Sequence, residues 1–136
     1  MATGKVQRFF PGTEDGFIAV AFSPDGKLLA AGSVQGRVRL WSVEGRPVHV
    51  LDGHKGAVLS LSFAADGKTL ATAGGDGTVR LWEVASGQER ARLTGHRGCV
   101  SAVALAPDGT TLATGGSDGR ALIWKLSALG QTEVAP

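Results

Sequence analysis

Two sets of potentially reactive side chains recur along this chain at one spacing. His54 and Asp76 stand 22 residues apart with Thr72 between them, and His96 and Asp118 stand 22 apart with Thr114 between them. Imidazole, hydroxyl and carboxylate are the ingredients of a nucleophilic triad. A triad, however, needs its nucleophile presented in a cleft beside an oxyanion site, and such constellations do not normally recur identically in successive segments. The recurrence argues for a structural task, leaving a hydrolase as a remote alternative. His49, His54 and His96 lack the close Cys or His pairing of a zinc site. The segments GGDG (Gly74 to Gly77) and GGSDG (Gly115 to Gly119) lack the Lys-Ser/Thr of a phosphate loop and read as turns. Cys99, the single cysteine, would need a depressed pKa to act as a nucleophile, and only Arg97 is near enough in sequence to help. It reads as packing or pore lining. No catalytic, metal or cofactor-binding residue is assigned.

The elements that carry these side chains come in three copies of one unit. Residues Gly53 to Trp82 return as Gly95 to Trp124, with a weaker first copy from Gly12 to Trp41. A fixed period in this range marks a stacked repeat architecture in which no unit buries its apolar faces alone. Within each copy, short alternating or β-branched runs are separated by turn signals about every ten residues, the spacing of meandering antiparallel strands. The first runs (Phe17 to Phe22, Val58 to Phe63, Val100 to Leu105) end in SPDG, AADG or APDG turns. The second runs (Leu28 to Gly32, Leu70 to Gly74, Leu112 to Gly116) are small and apolar on both faces, as in strands sandwiched between neighbours. The third runs end in Trp, and Arg39 and Arg80 there predict one wetter face.

A fourth, more polar run lies between copies: Arg46 to Asp52 and Gln88 to Thr94. Its charge alternation suits an exposed edge strand. GKVQRFFPG (Gly4 to Gly12) repeats the glycine spacing of GQERARLTG (Gly87 to Gly95), so Lys5, Val6, Gln7, Arg8, Phe9 and Phe10 read as a copy of this edge strand with no unit before it. The third unit has only an abbreviated edge strand, GQTEV (Gly130 to Val134), and residues 127–136 read as a short polar tail.

The GH dipeptides, the Asp-Gly turns, the DG before the third strand and the closing Trp41, Trp82 and Trp124 together resemble the WD-repeat family of β-propellers, across about residues 4–126. The resemblance implies an all-β fold of four-stranded antiparallel blades, with repeats at about 4–41, 45–82 and 87–124. It also implies a hydrogen-bonded chain in each complete blade: His54, Thr72, Asp76 and Trp82 in the second, His96, Thr114, Asp118 and Trp124 in the third. The first copy departs from this pattern, with Thr13, Ala31 and Gln35 at those places and Trp41 left alone. Upper-face binding positions of the family fall on Gly16, Ile18 and Val34, on Ala57, Leu59 and Gly75, and on Cys99, Ser101 and Ser117. These are small side chains without an aromatic or Arg anchor. Family propellers close their ring with a strand from the other terminus, the role left to Lys5 to Phe10.

Three blades are too few for a ring, and an open arc exposes more apolar surface than soluble monomers commonly show. The expectation is a homo-oligomer with two chains (six blades) or three (nine), the trimer being favoured. The N-terminal strand of one chain would pair with Ala121 to Leu126 of the next. The expected function is a non-catalytic module that self-assembles and serves as a protein-interaction scaffold, with peptides or proteins on the upper face. The alternative is a fragment or engineered piece of a longer propeller that needs blades from another chain. A net charge of +2, from 14 basic and 12 acidic residues that are interspersed, gives no phosphate-tracking stripe, so no nucleic-acid partner is expected. No stretch has the length to span a bilayer, so no membrane partner is expected either. One cysteine leans toward a reducing compartment, and the cytoplasm is the expected location.

Overall fold

Each unit is turned by its Asp-Gly pair. Asp25, Asp66 and Asp108 accept the backbone N–H of Lys27, Lys68 and Thr110, each at 2.9 Å. The following Gly26, Gly67 and Gly109 take φ of +72°, +72° and +73°, where a Cβ would clash with the backbone. These turns join the first two strands of every unit. The structure, a computed structural model, describes residues 4–6, 8, 10, 15–128 and 131–133, with residues 127–128 and 131–133 described by backbone alone.

Twelve strands follow in chain order: β1 (Phe17–Phe22), β2 (Leu28–Ser33), β3 (Arg37–Ser42), β4 (Pro47–Asp52), β5 (Val58–Phe63), β6 (Thr69–Gly74), β7 (Thr78–Glu83), β8 (Gln88–Thr94), β9 (Val100–Leu105), β10 (Thr111–Gly116), β11 (Ala121–Ala128) and β12 (Gln131–Glu133). They form three four-stranded sheets, each pairing its strands antiparallel in sequence order. No helix occurs among the described residues.

The core lies between blades rather than within one. Ala30, Val38, Leu40 and Leu51 of the first blade pack with Val58, Leu70, Trp82 and Val84 of the second. Ala71, Val79, Leu81 and Leu93 of the second pack with Val100, Leu112, Trp124 and Leu126 of the third. Gly32 shows how close the blades come, because a Cβ there would stand 2.6 Å from Val58 Cγ1. The junction of the second and third blades carries two further ties: the Ser60 and Ser62 hydroxyls accept the backbone N–H of Val103 at 3.2 Å and of Leu105 at 3.1 Å. On an inner strand those N–H groups have no ladder partner, so the hydroxyls satisfy them.

The two end faces lack this cover. Val20 is 68% and Phe22 65% exposed, whereas their counterparts Leu61 and Phe63 pack against the core between blades one and two. Ile123 is 64% exposed, and its counterparts Leu40 and Leu81 are buried.

Two expectations need correction. The segment 127–136 is more than a tail: β11 runs on to Ala128, the chain reverses, and β12 sets Glu133 opposite Lys125 and Thr132 opposite Leu126. The abbreviated edge strand read at residues 130–134 is the one that pairs here, over Gln131–Glu133, so only the description of the whole segment as a tail is revised. Arg80 does not mark a wet face. It is 3% exposed, because Glu89 and Asp76 meet its guanidinium inside the sheet edge.

Candidate functional site

In the second blade the third strand brings Trp82 beneath the second strand, and the GH loop lays His54 over both. Trp82 Nε1 donates to Thr72 Oγ1 at 2.9 Å, Thr72 Oγ1 lies 2.7 Å from His54 Nε2, and His54 Nδ1 lies 3.2 Å from Asp76 Oδ1. One assignment satisfies every member. His54 is neutral with its proton on Nδ1, facing the carboxylate; Nε2 accepts the threonine O–H; the threonine oxygen accepts the indole N–H. The carboxylate also receives the Lys55 N–H at 3.0 Å and the Thr78 hydroxyl at 2.8 Å. The third blade repeats the arrangement. Trp124 Nε1 donates to Thr114 Oγ1 at 2.9 Å, His96 Nε2 lies 2.8 Å from that oxygen, and Asp118 sits 3.1 Å from His96 Nδ1 and accepts the Arg97 N–H at 3.0 Å.

The electrostatics fit the assignment. Burial pushes the His54 imidazole below the ordinary 6.5, against the pull of the Asp76 carboxylate beside it. For Asp76, burial works upward but is outweighed by the Lys55 and Thr78 donors and by His54, so its carboxyl lies well below the ordinary 3.8. The Arg97 N–H, with His96 and the Arg120 N–H, lowers Asp118 to about 2. Arg80 extends the second-blade network to Glu89 at 2.9 Å, with its Nε left without a hydrogen-bond partner. Both threonine hydroxyls are buried and already shared between two partners, so neither is presented to a substrate. Among the described residues no group of three or more His, Cys, Asp or Glu is gathered to hold a metal ion.

The first blade uses other groups. Ala31 and Gln35 stand where Thr and Asp stand elsewhere, and Thr13 lies outside the described residues. Asp15, buried near the start of the unit, takes over as the carboxylate and pairs with Arg39, with Arg37 further off at 3.9 Å. Contrary to the expectation from sequence, Trp41 is not left alone. Phe10 packs on it at a ring-centroid distance of 5.3 Å, and Phe17 meets it edge-on at 5.6 Å. Sequence reading missed Asp15 because its partner lies 24 residues on, and missed Glu89 because it sits in a run of alternating charge.

The upper-face positions gather blade by blade. Val34 N–H bonds the Gly16 carbonyl at 2.8 Å, Gly75 that of Ala57 at 2.7 Å, and Ser117 that of Cys99 at 2.9 Å. These contacts bring two of each predicted three together beside the inner strand that carries Ile18, Leu59 or Ser101. Cys99 is exposed there and does not serve as packing. A cavity of about 380 Å³ opens between the second and third blades, lined by Asp76, Thr78, His96 and Arg97 among others. Of the ring-closure residues, Gln7 and Phe9 lie outside the described set. Val6, Arg8 and Phe10 line a second cavity of about 520 Å³ with Phe22, Leu29 and Val43 of the first blade.

Comparison with known proteins bears directly on this geometry. The family described as WD domain, G-beta repeat matches residues 4–42, 45–83 and 87–125. Two solved structures, described as the crystal structure of RRP9 WD40 repeats and the structure of U3-55K, each superpose with a TM-score of 0.84 at 28% identity. Each match covers 93% of this chain and 40% of the other, so this chain spans about two-fifths of their length. A search of curated proteins gave no match. With three matched repeats, three four-stranded blades and a repeated His, Thr, Asp and Trp network, this chain belongs to the WD-repeat family.

Proposed function

We propose that the chain is a non-catalytic WD-repeat module that joins copies of itself into a closed propeller ring and works as a protein-interaction scaffold. The observation that carries the reading is the contrast between equivalent positions. Val20 and Phe22 at one end and Ile123 at the other stand open to solvent, while the same positions between blades are covered by a neighbouring blade. Surface built to be covered in this way is costly to leave wet, at about 25 cal/mol for each Å² of apolar area. A neighbour of the same kind covers it best. The ring then presents the upper-face positions of every blade around one channel, where small side chains and an exposed Cys99 give peptides or proteins a shallow surface.

Burial of the Thr72 and Thr114 hydroxyls, each shared between an indole and an imidazole, supports the non-catalytic part of the reading. The alternative, a piece that needs blades from a different chain, rests on the same exposed faces. Light scattering separates the two. Self-closure gives a single species at an integer multiple of 13.9 kDa, with nine blades favoured over six. A stable species of 13.9 kDa in dilute buffer refutes self-assembly.

A further inference from the structure

We infer that the third blade of one copy docks its Ile123 into the cavity on the open face of the first blade of the next, and that Gly115 and Ala121 form a reduced socket for Phe17 of that copy. The inference rests on the self-assembly reading above and names the side chains that choose the partner.

Both inner seams fill one apolar site in the same way. Leu40 of β3 shares a core with Leu70 and Val84, and Phe63 packs against it. One seam on, Leu81 of β7 shares a core with Leu112 and Leu126, and Leu105 packs against it. By repeat phase the remaining members of the two series are Ile123 of β11 on one side, and Phe22, Leu29 and Val43 of the first blade on the other. Ile123 is 64% exposed. Phe22, Leu29 and Val43 line the cavity of about 520 Å³, together with Val6, Arg8 and Phe10. The chain thus carries one aliphatic side chain without its site and one such site without its side chain. They belong to the two end blades, so a second copy supplies what the first lacks.

A second position is matched in size. The leading side chain of each first strand meets a socket made by two paired residues of the blade before. Val58 meets Gly32 and Val38, and a Cβ on Gly32 would stand 2.6 Å from Val58 Cγ1. Val100 shares a core with Ala73 and Val79. Between copies the same places hold Phe17 and the pair Gly115 and Ala121, which face each other across β10 and β11. The entering side chain has grown from isopropyl to benzyl, while the socket has lost its valine and kept only a glycine and an alanine. A Cβ at Gly115 finds nothing within 4 Å except Ala102 Cβ at 3.9 Å. Packed seams respond to changes of a single methylene, so Phe17 suits the emptied socket and would collide in either valine one.

The same positions discriminate between arrangements. Two first-blade faces brought together would set Val20 and Phe22, 68% and 65% exposed, against their own counterparts. Two third-blade faces would set the exposed Ala102, Ala104 and Ala121 against theirs and leave voids. Only the mixed pair fills each socket once, so the contact is head-to-tail and closes by rotation.

The test exchanges sizes across the seam and follows mass against concentration by light scattering. Ala121→Val and Ile123→Lys change side chains that are exposed in the single chain, so both are expected to keep the native circular dichroism. Each is expected to raise the concentration of half-dissociation about tenfold or more, the first by overpacking and the second by burying a charge. Phe17→Val alone leaves a void and weakens assembly as well. Phe17→Val/Ala121→Val recreates the valine pairing of the inner seams and is expected to assemble better than either single variant. If the parent assembles and Ala121→Val leaves its mass profile unchanged, or a folded double variant assembles no better than Ala121→Val, the size match is overturned while self-assembly stands. Unchanged assembly of Ile123→Lys overturns the cavity contact in the same way, and where Phe17→Val unfolds the first blade these two single variants decide. If the unaltered chain scatters as one chain at every concentration, this inference and the self-assembly reading both fall.

Discussion

Replacing Thr72 with Val tests whether the second blade depends on its hydrogen-bond relay. The substitution keeps the β-branched shape of a fully buried side chain in the middle of β6 and removes one oxygen. Two partners lose their bond together: the Trp82 indole N–H, held at 2.9 Å, and His54 Nε2, held at 2.7 Å. A buried polar group left unsatisfied costs about 1–3 kcal/mol, so the pair predicts a loss of roughly 2–6 kcal/mol. Thr72→Ser keeps the oxygen and removes a methyl, for which about 1 kcal/mol is expected. Urea unfolding followed by tryptophan fluorescence gives both values, and a domain of this size should melt about 4 °C lower for each kcal/mol lost. Thr72→Val is thus expected to melt roughly 8–24 °C below the parent and well below Thr72→Ser. If Val costs no more than Ser, the hydroxyl is not what holds His54 and Trp82, and the relay is an arrangement without energetic weight.

Three further outcomes follow from the same contacts. Because His54 is held below 6.5, the unfolded chain takes up a proton first on acidification, so stability falls as pH drops below about 6.5; His54→Gln should flatten that limb in urea titrations at stepped pH, and a second loss below 3.8 belongs to Asp76 and Asp118. Asp15→Asn removes the charge that faces Arg39 in the first blade and is expected to cost about 1–3 kcal/mol by urea unfolding, whereas an unchanged midpoint would show the ion pair to be incidental. Deleting residues 1–10 should reduce the scattering mass to one chain or cause aggregation, and deleting residues 134–136 should leave the assembly intact; the opposite pattern would place the fastening at the C-terminal end.

The repeat phase, the strand order and the turns were readable because each rests on a local rule. Asp-Gly at positions 25, 66 and 108 can do little but turn the chain, and the two His to Asp intervals of 22 are visible without any fold. What escaped reading depends on which distant residue arrives alongside. Arg80 looks solvent-facing in the pattern Thr78 to Trp82, and becomes buried only because β8 brings Glu89 to it. Asp15 carries no sign in the sequence that it will meet Arg39, 24 residues on. Phe10 belongs by sequence to an edge run, and its stacking on Trp41 follows from how the next blade is seated. β12 was legible as the abbreviated edge strand GQTEV, and only its place opposite Lys125 and Leu126 had to come from the fold.

The hydroxyls of Ser60 and Ser62 make the two seams of the arc unequal. They bond β9 of the third blade, whereas the first blade offers Ala19 and Ala21 at the same places to β5, and a methyl accepts nothing. Opening fluctuations should therefore start at the first seam, with amide protons of β5 exchanging ahead of the corresponding ones in β9 and protease cutting near Gly53 before Gly95. The second and third blades are then expected to open together as one cooperative block, and the first to part from them separately.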